Sequence, residues 1–522
     1  MPNKRIIVLV FIIVLAIFFR FWQFSSIPAG LYQDEAMNGA DALASLKTGD
    51  YKIFYANNNG REGMIVWLDA LAIKFFGLSA QAGAQPWVLR LFPALAGILA
   101  VLGLYFLAKE LFGAEIALVS SFFMATSFWA VNFSRMGFRA GLMVPILIWS
   151  FYFLLKGFRL QKYIYFIIAG VLFGLGFYTY ISFRFAPILA LLAFMPLLLN
   201  KGNKQLWAAI LIFIGAVFIV ALPIGLYFLH NPADFFGRSS GVSIFSQSSP
   251  VNALAVNAVK TLGMFNITGD FNWRHNYAGS PELFLPVGLL FLLGIFISVK
   301  RWIFEDKFLL LWLSIFLLPN ILASEGNPHA LRAIGAMPAA MIFSGMGLFW
   351  LYKRCQQYLD DKIKNLSLDR YKNQLLRLKK ECFFLFIAFL FFVGGYNFNE
   401  YFTRWAFNPN VADAFSQSQV KIADYLNSLP KETDKYALWH PDDRATDNGL
   451  PVSAQTVYFL TSQKVKINYL KSSELDKIII GKNGTVIAPL YFNLDLLHSL
   501  NKQFSNSAIN FIGINSAIII IP

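Results

Sequence analysis

The chain has 522 residues, of which 57% are hydrophobic, 17% aromatic and only 14% charged, with two cysteines and a formal net charge of +15. Soluble domains carry about 25% charged residues, so this composition excludes an ordinary soluble protein, disorder and a disulfide scaffold, and describes a chain solvated mostly by lipid. In such a chain the position of the positive charges matters more than their sum, which in a soluble protein would point to nucleic acid.

A hydrocarbon core about 30 Å thick takes roughly 20 apolar residues of helix. Eleven segments meet that need, at about 6–24, 87–108, 115–132, 140–155, 163–179, 184–199, 206–229, 283–299, 308–323, 333–352 and 382–398. The first reads as a span, not a removable signal. Its apolar run from Ile6 to Phe19 continues into Phe21-Trp22, with no small-residue cleavage site before Pro28. With the N-terminus inside, the inner segments 1–5, 109–114, 156–162, 200–205, 300–307 and 353–381 hold 20 Lys and Arg in 61 residues. The outer loops 25–85, 133–139, 180–183, 230–282 and 324–332 hold 10 in more than twice that length. This asymmetry predicts a multi-pass protein of the cell (plasma or inner) membrane with a cytoplasmic N-terminus.

Three outer regions are large: the loop 25–85, the loop 230–282 and a tail at 399–522. In the tail charges return, Val457 to Leu460 and Lys477 to Ile480 read as short strands, and 412–428 reads as an amphipathic helix. The expected organisation is a polytopic α-helical membrane domain at 1–398 and a small extracytoplasmic α/β domain at 399–522. Cys355 and Cys382 fall on the inner side, where a disulfide is not expected.

All 29 Asp and Glu lie in loops, in the tail or at segment ends. An ion-coupled transporter usually keeps a carboxylate in mid-membrane, so this distribution weakens that reading. The first outer loop instead gathers Asp34, Glu35, Asp41, Asp50 and Glu62. Asp34-Glu35 precedes a helical stretch from Ala36 to Leu46. It reads either as an N-terminal cap with an acidic first turn or as a general base at the membrane surface, able to take a proton from an attacking hydroxyl. Asn57-Asn58-Asn59-Gly60-Arg61-Glu62-Gly63 then leads into an apolar helix, Met64 to Phe76, suited to the interface. Arg135, Arg139, Arg184 and Arg332 stand at outer segment ends, where positives should be scarce. Each alone suits a lipid-headgroup anchor; together they suit a lipid phosphate, with His329 able to assist.

The order of these motifs resembles the polytopic GT-C glycosyltransferases. The resemblance runs over about residues 1–350 and is nearest to the bacterial branch related to protein O-mannosyltransferases and the lipid A aminoarabinose transferase (glycosyltransferase family 39-like). It rests on Asp34-Glu35-Ala36, on Asn59-Gly60-Arg61-Glu62, on the stretch from Asn132 to Arg139 and on the stretch from Pro328 to Gly335. It implies transfer of a sugar, with inversion, from a polyprenyl-phosphate donor to a protein, lipid or glycan acceptor on the outer face. Asp34 and Glu35 would then occupy the catalytic motif, with Glu62 a second loop carboxylate. Arg332, followed by Arg61, Arg135, Arg139, Arg184 and His329, would bind the donor phosphate. Gly63 stands where the aminoarabinose transferases carry Lys. No cofactor is required by any motif, although a divalent cation on the loop carboxylates fits the pattern. A flippase for lipid-linked sugars and a diphosphate-dependent glycan ligase are the alternatives.

Overall fold

Helix covers the apolar segments in turn, from Pro2–Phe21 to Asp369–Asn399. The computed structural model describes residues 2–522 except 77–84, 199–203, 248, 366–368, 462–464, 505 and 514. The end of the first outer loop and most of the expected inner loop 200–205 therefore lie outside the described residues. Among those described, five helices are long and apolar enough to cross a membrane: Pro86–Phe112, Arg139–Leu160, Lys204–His230, Ile334–Lys364 and Tyr371–Trp405. A sixth span is made if Ala114–Thr126 and Phe128–Ser134, bent by 59°, count as one, while Tyr163–Gly176 and Ile181–Phe194 are shorter apolar helices.

That bend has a local cause. Breaking a helix leaves its last carbonyls without partners. Here the fully buried Arg20 donates to Ala125 O at 2.9 Å and Met124 O at 3.2 Å. On the other side of the break, Asn397 Oδ1 accepts from Phe128 N at 3.3 Å. A cation at a helix C-terminus also matches the dipole.

The packing divides the chain into two compact units. Met1–Trp22, Pro93–Ser134 and Arg139–Trp405 form the first; Gln23–Phe92, Arg135–Phe138 and Ala406–Pro522 form the second. In the first unit Leu285–Arg301 lies against Met337–Lys364 with almost no space between backbones. A Cβ on Gly294 would sit 2.0 Å from Phe343 O, and one on Gly347 2.1 Å from Leu290 O. Such small-residue contacts are how helices associate in lipid, where burial alone gives no drive.

In the second unit the helix Gln33–Thr48 is followed by strands β1 (Phe54–Tyr55) and β2 (Arg61–Glu62), which pair antiparallel, and by the helix Met64–Phe76. The turn between the strands carries positive φ at Asn58, Asn59 and Gly60, residue types that tolerate that region. The tail adds β3 (Asp434–Trp439), β4 (Asn468–Lys471), β5 (Thr485–Pro489), β6 (Ala508–Gly513) and β7 (Ser516–Ile521) in the order β4-β3-β5-β7-β6. β3 runs parallel to β4 and β5, and β7 runs antiparallel to β5 and β6. Tyr436, Leu438, Ile487, Ile519, Leu497 and Leu500 fill the core against the helix Leu494–Gln503.

Two local expectations for the tail fail. Val457 to Leu460 belong to the helix Gln455–Thr461, which packs on Gln33–Thr48; a Cβ at Gly39 would meet the Phe459 ring at 2.5 Å. Lys477 to Ile480 leave the sheet altogether, with Ile479 72% exposed and no strand beside it among the described residues. The amphipathic stretch 412–428 is helical but broken by left-handed Ser416 into Pro409–Ala414 and Gln417–Ser428.

Candidate active site

The two acids of the first motif have different environments. Glu35 is fully buried, and its carboxylate is saturated. Arg90 Nε donates to Oε1 at 2.9 Å and Arg90 Nη2 to Oε2 at 3.0 Å, while the backbone N–H groups of Gly137 and Tyr32 add bonds at 2.7 and 3.1 Å. The Tyr32 bond is the backward half of a capping box, so the cap expected at this helix start is supplied by Glu35. Arg90 spends its other donors on Pro28 O and Gly30 O, both at 2.8 Å. This buried ion pair ties together the loop before the helix, the first turn and residue 137.

Asp34 is half-buried, and its one hydrogen bond among the described residues comes from Asn58 Nδ2 at 2.7 Å. Asn58 reaches it from the β1–β2 turn. Arg61, in contrast, is engaged through both terminal nitrogens: it bonds Asn38 Oδ1 at 2.7 Å, pairs with Asp41 and Asn57, and lies over the Tyr55 ring. Burial raises the Asp41 carboxyl above its ordinary range despite the Arg61 charge that opposes it. Glu62 is 3% exposed on β2. Asp69, on the helix Met64–Phe76, is fully buried with no hydrogen bond to either oxygen among the described residues. Burial, followed by the charge of Glu35, raises its carboxyl well above normal.

The remaining arginines divide by what they hold. Arg135 donates to Ile27 O at 2.8 Å and Gln23 O at 3.3 Å and lies over Phe24. Arg184 donates to Phe235 O at 2.7 Å and stacks on that ring at 4.0 Å. Arg139 faces Tyr180. Arg332 is 16% exposed beside Glu325, a partner 72% exposed at 3.9 Å. His329 lies next to Asp270 and His275, in the same unit as Arg332. Burial, and then the neighbouring His275, pushes its imidazole down to about 3, so the ring is neutral.

Several buried charged residues that the sequence patterns do not single out organise these loops. Arg90 stood alone in the apolar run Trp87 to Phe92, and a single arginine in such a run was the available signal. Asp270 and His275, five residues apart in the 230–282 loop, form a buried pair at 2.9 Å. Glu282 is buried beside them and accepts from Asp270 N at 3.0 Å. Asp69 lay inside the apolar helix that the pattern assigned to the interface.

The helices long and apolar enough to span lipid give this chain a membrane-protein fold with solved counterparts. ArnT from Cupriavidus metallidurans bound to undecaprenyl phosphate matches with a TM-score of 0.59 and 13% identity, over 100% of this chain and 98% of that one. The archaeal oligosaccharyltransferase AglB from Archaeoglobus fulgidus, in complex with an inhibitory peptide and a dolichol-phosphate, matches at 0.52 and 14% identity, over 90% of this chain and 64% of that one. Residues 64–227 match the family model described as dolichyl-phosphate-mannose-protein mannosyltransferase. The mannosyltransferase-type protein YkcB of Bacillus subtilis (strain 168) is 26% identical over 230 residues, which are 43% of this chain and 32% of that relative.

Proposed function

We propose that this protein is an inverting glycosyltransferase that moves a sugar from a polyprenyl-phosphate donor to an acceptor on the outer face of the membrane, with Asp34 as general base. The observation that carries the assignment is the division of labour in the first loop. Glu35 is closed by Arg90, Asp41 is paired with Arg61 and Glu62 is buried, whereas Asp34 is half-buried and, among the described residues, held by a single neutral amide. A carboxylate so placed accepts the acceptor hydroxyl's proton as that oxygen attacks the anomeric carbon, and the sugar–phosphate bond breaks on the opposite side. The leaving polyprenyl phosphate gains charge, which a guanidinium stabilises. Arg332, whose carboxylate partner is solvent-exposed, is the first choice for that contact.

The reading is supported by the matches to a fold seen with undecaprenyl phosphate and with a dolichol-phosphate. It includes eleven crossings of the cell membrane, a cytoplasmic N-terminus, and the first loop and tail outside. Gly63 argues against aminoarabinose as the sugar: a Cβ there would sit 2.5 Å from Lys52 O, so the backbone leaves no room for a lysine. The family match favours a mannosyl donor as the first to try.

Purified protein in detergent, given radiolabelled polyprenyl-phosphate sugars, should transfer or release the sugar with inversion. Binding of every such donor without bond cleavage, or movement of intact donor across vesicles, would overturn the reading.

A further inference from the structure

The loops 264–284 and 322–336 bring together Asp270, His275 and His329, with one ligand atom of each inside a 4.8 Å span. We propose that these three side chains form a binding site for a divalent transition metal of the zinc class. The proposal does not rest on the transferase reading.

The arrangement is built, with Asp270 and His275 buried and the His329 side chain 17% exposed. Asp270 Oδ2 accepts from Ala330 N at 2.9 Å, which locks the carboxylate to the second loop, and Oδ1 accepts from Asn272 N at 2.8 Å. His275 Nδ1 lies 2.9 Å from the same Oδ2, and its ring packs on Phe133 with centroids 5.6 Å apart. The His329 ring sits 4.8 Å from that of His275. Two neighbouring atoms are left without hydrogen bonds among the described residues: His329 Nδ1, 3.7 Å from Asp270 Oδ2, and Oε2 of Glu282, a side chain 3% exposed whose Oε1 holds Asp270 N. A buried polar atom without a partner is costly, and an ion ligated by Nδ1 would satisfy the first.

Two imidazoles and one carboxylate are the ligand types zinc takes when it keeps an open position, and backbone bonds to the carboxylate supply the outer support such sites need. A metal would displace the proton shared by Asp270 and His275. The surrounding charge bears on any further ligand. Arg274 and Arg332 both act on these histidines and would oppose a bare cation, which the carboxylates of Asp270 and Glu282 offset. The same guanidiniums favour an anion on the metal's open position.

The test uses the full chain in detergent, carrying Cys355→Ser and Cys382→Ser, because those thiols lie 2.8 Å apart and would bind soft metals themselves. Protein stripped with a chelator is loaded with Zn2+ alone or Co2+ alone, desalted and assayed for metal. The structure predicts about one ion retained per chain and visible cobalt absorption of a low-coordinate site. His329→Ala should lower retention by at least about tenfold. His329→Cys should keep the cobalt and add a thiolate-to-metal charge-transfer band, which a purely structural role for His329 cannot give. No retained metal in the parent, equal retention in His329→Ala, or cobalt without the new band in His329→Cys would each overturn the proposal.

Discussion

Asp34 and Glu35 are adjacent in sequence and serve different ends, because successive residues of a helix point about 100° apart. One faces Asn58 and the other faces Arg90. The motif and its cap reading were legible in the sequence, and Glu35 closes the capping box; Asp34 as the base is the role proposed above. That Glu35 is closed into a buried ion pair was not legible, since it depends on an arginine 55 positions away. Removing one member of a buried pair strands the other charge, at a cost of about 3–5 kcal/mol. Arg90→Ala should therefore lower folded yield and Tm sharply, and Glu35→Gln on top of it should recover part of the loss. No drop in Tm for Arg90→Ala would show the pair to be dispensable. Asp69 makes the opposite prediction. Its folded pKa is raised by burial above the unfolded value, so its contribution is intact below the unfolded pKa and is lost as pH rises through the folded one. Asp69→Asn should raise Tm at neutral pH, with the gain shrinking as pH falls toward 4. Equal or lower Tm at neutral pH would mean that the carboxylate has a partner it needs.

At the scale of elements, helices in apolar segments follow from length and composition, and the structure has them. The tail was harder. Val457 to Leu460 has the residues of a strand, but packing against Gly39 decides for helix, the usual way tertiary context overrides local preference. Ile478 to Ile480 fails for the converse reason, having no neighbouring strand to pair with among the described residues. The contact at Gly39 is testable. A Cβ there meets Phe459 at 2.5 Å, so Gly39→Val should cost about 1–3 kcal/mol through overpacking. Phe459→Ala in the same chain should relieve that strain. Unchanged thermal stability of Gly39→Val would contradict the packing described for this helix pair.

At the scale of the molecule, exposure sorts the helices as lipid would. The apolar window of Tyr371–Trp405 is only 17% buried and that of Lys204–His230 only 22%, against 83% for Ile334–Lys364. The apolar helices were legible because their segments are continuous, and five of them are long and apolar enough to cross a membrane among the described residues. The second unit was not, because it is assembled from three stretches, 23–92, 135–138 and 406–522. Within it the tail holds the first loop: Thr456 Oγ1 bonds Leu31 O at 3.0 Å, and Gly30 lies against Phe415. Truncation after Trp405 should then expose the helix Gln33–Thr48 to protease and abolish transfer, whereas protection equal to that of the intact chain would show that the loop folds alone. The most direct test of the whole account is the transfer rate of Asp34→Asn beside the parent, with Tm measured on both. The account predicts a loss of at least about 100-fold at nearly unchanged Tm. A variant that transfers sugar at the parental rate would contradict it.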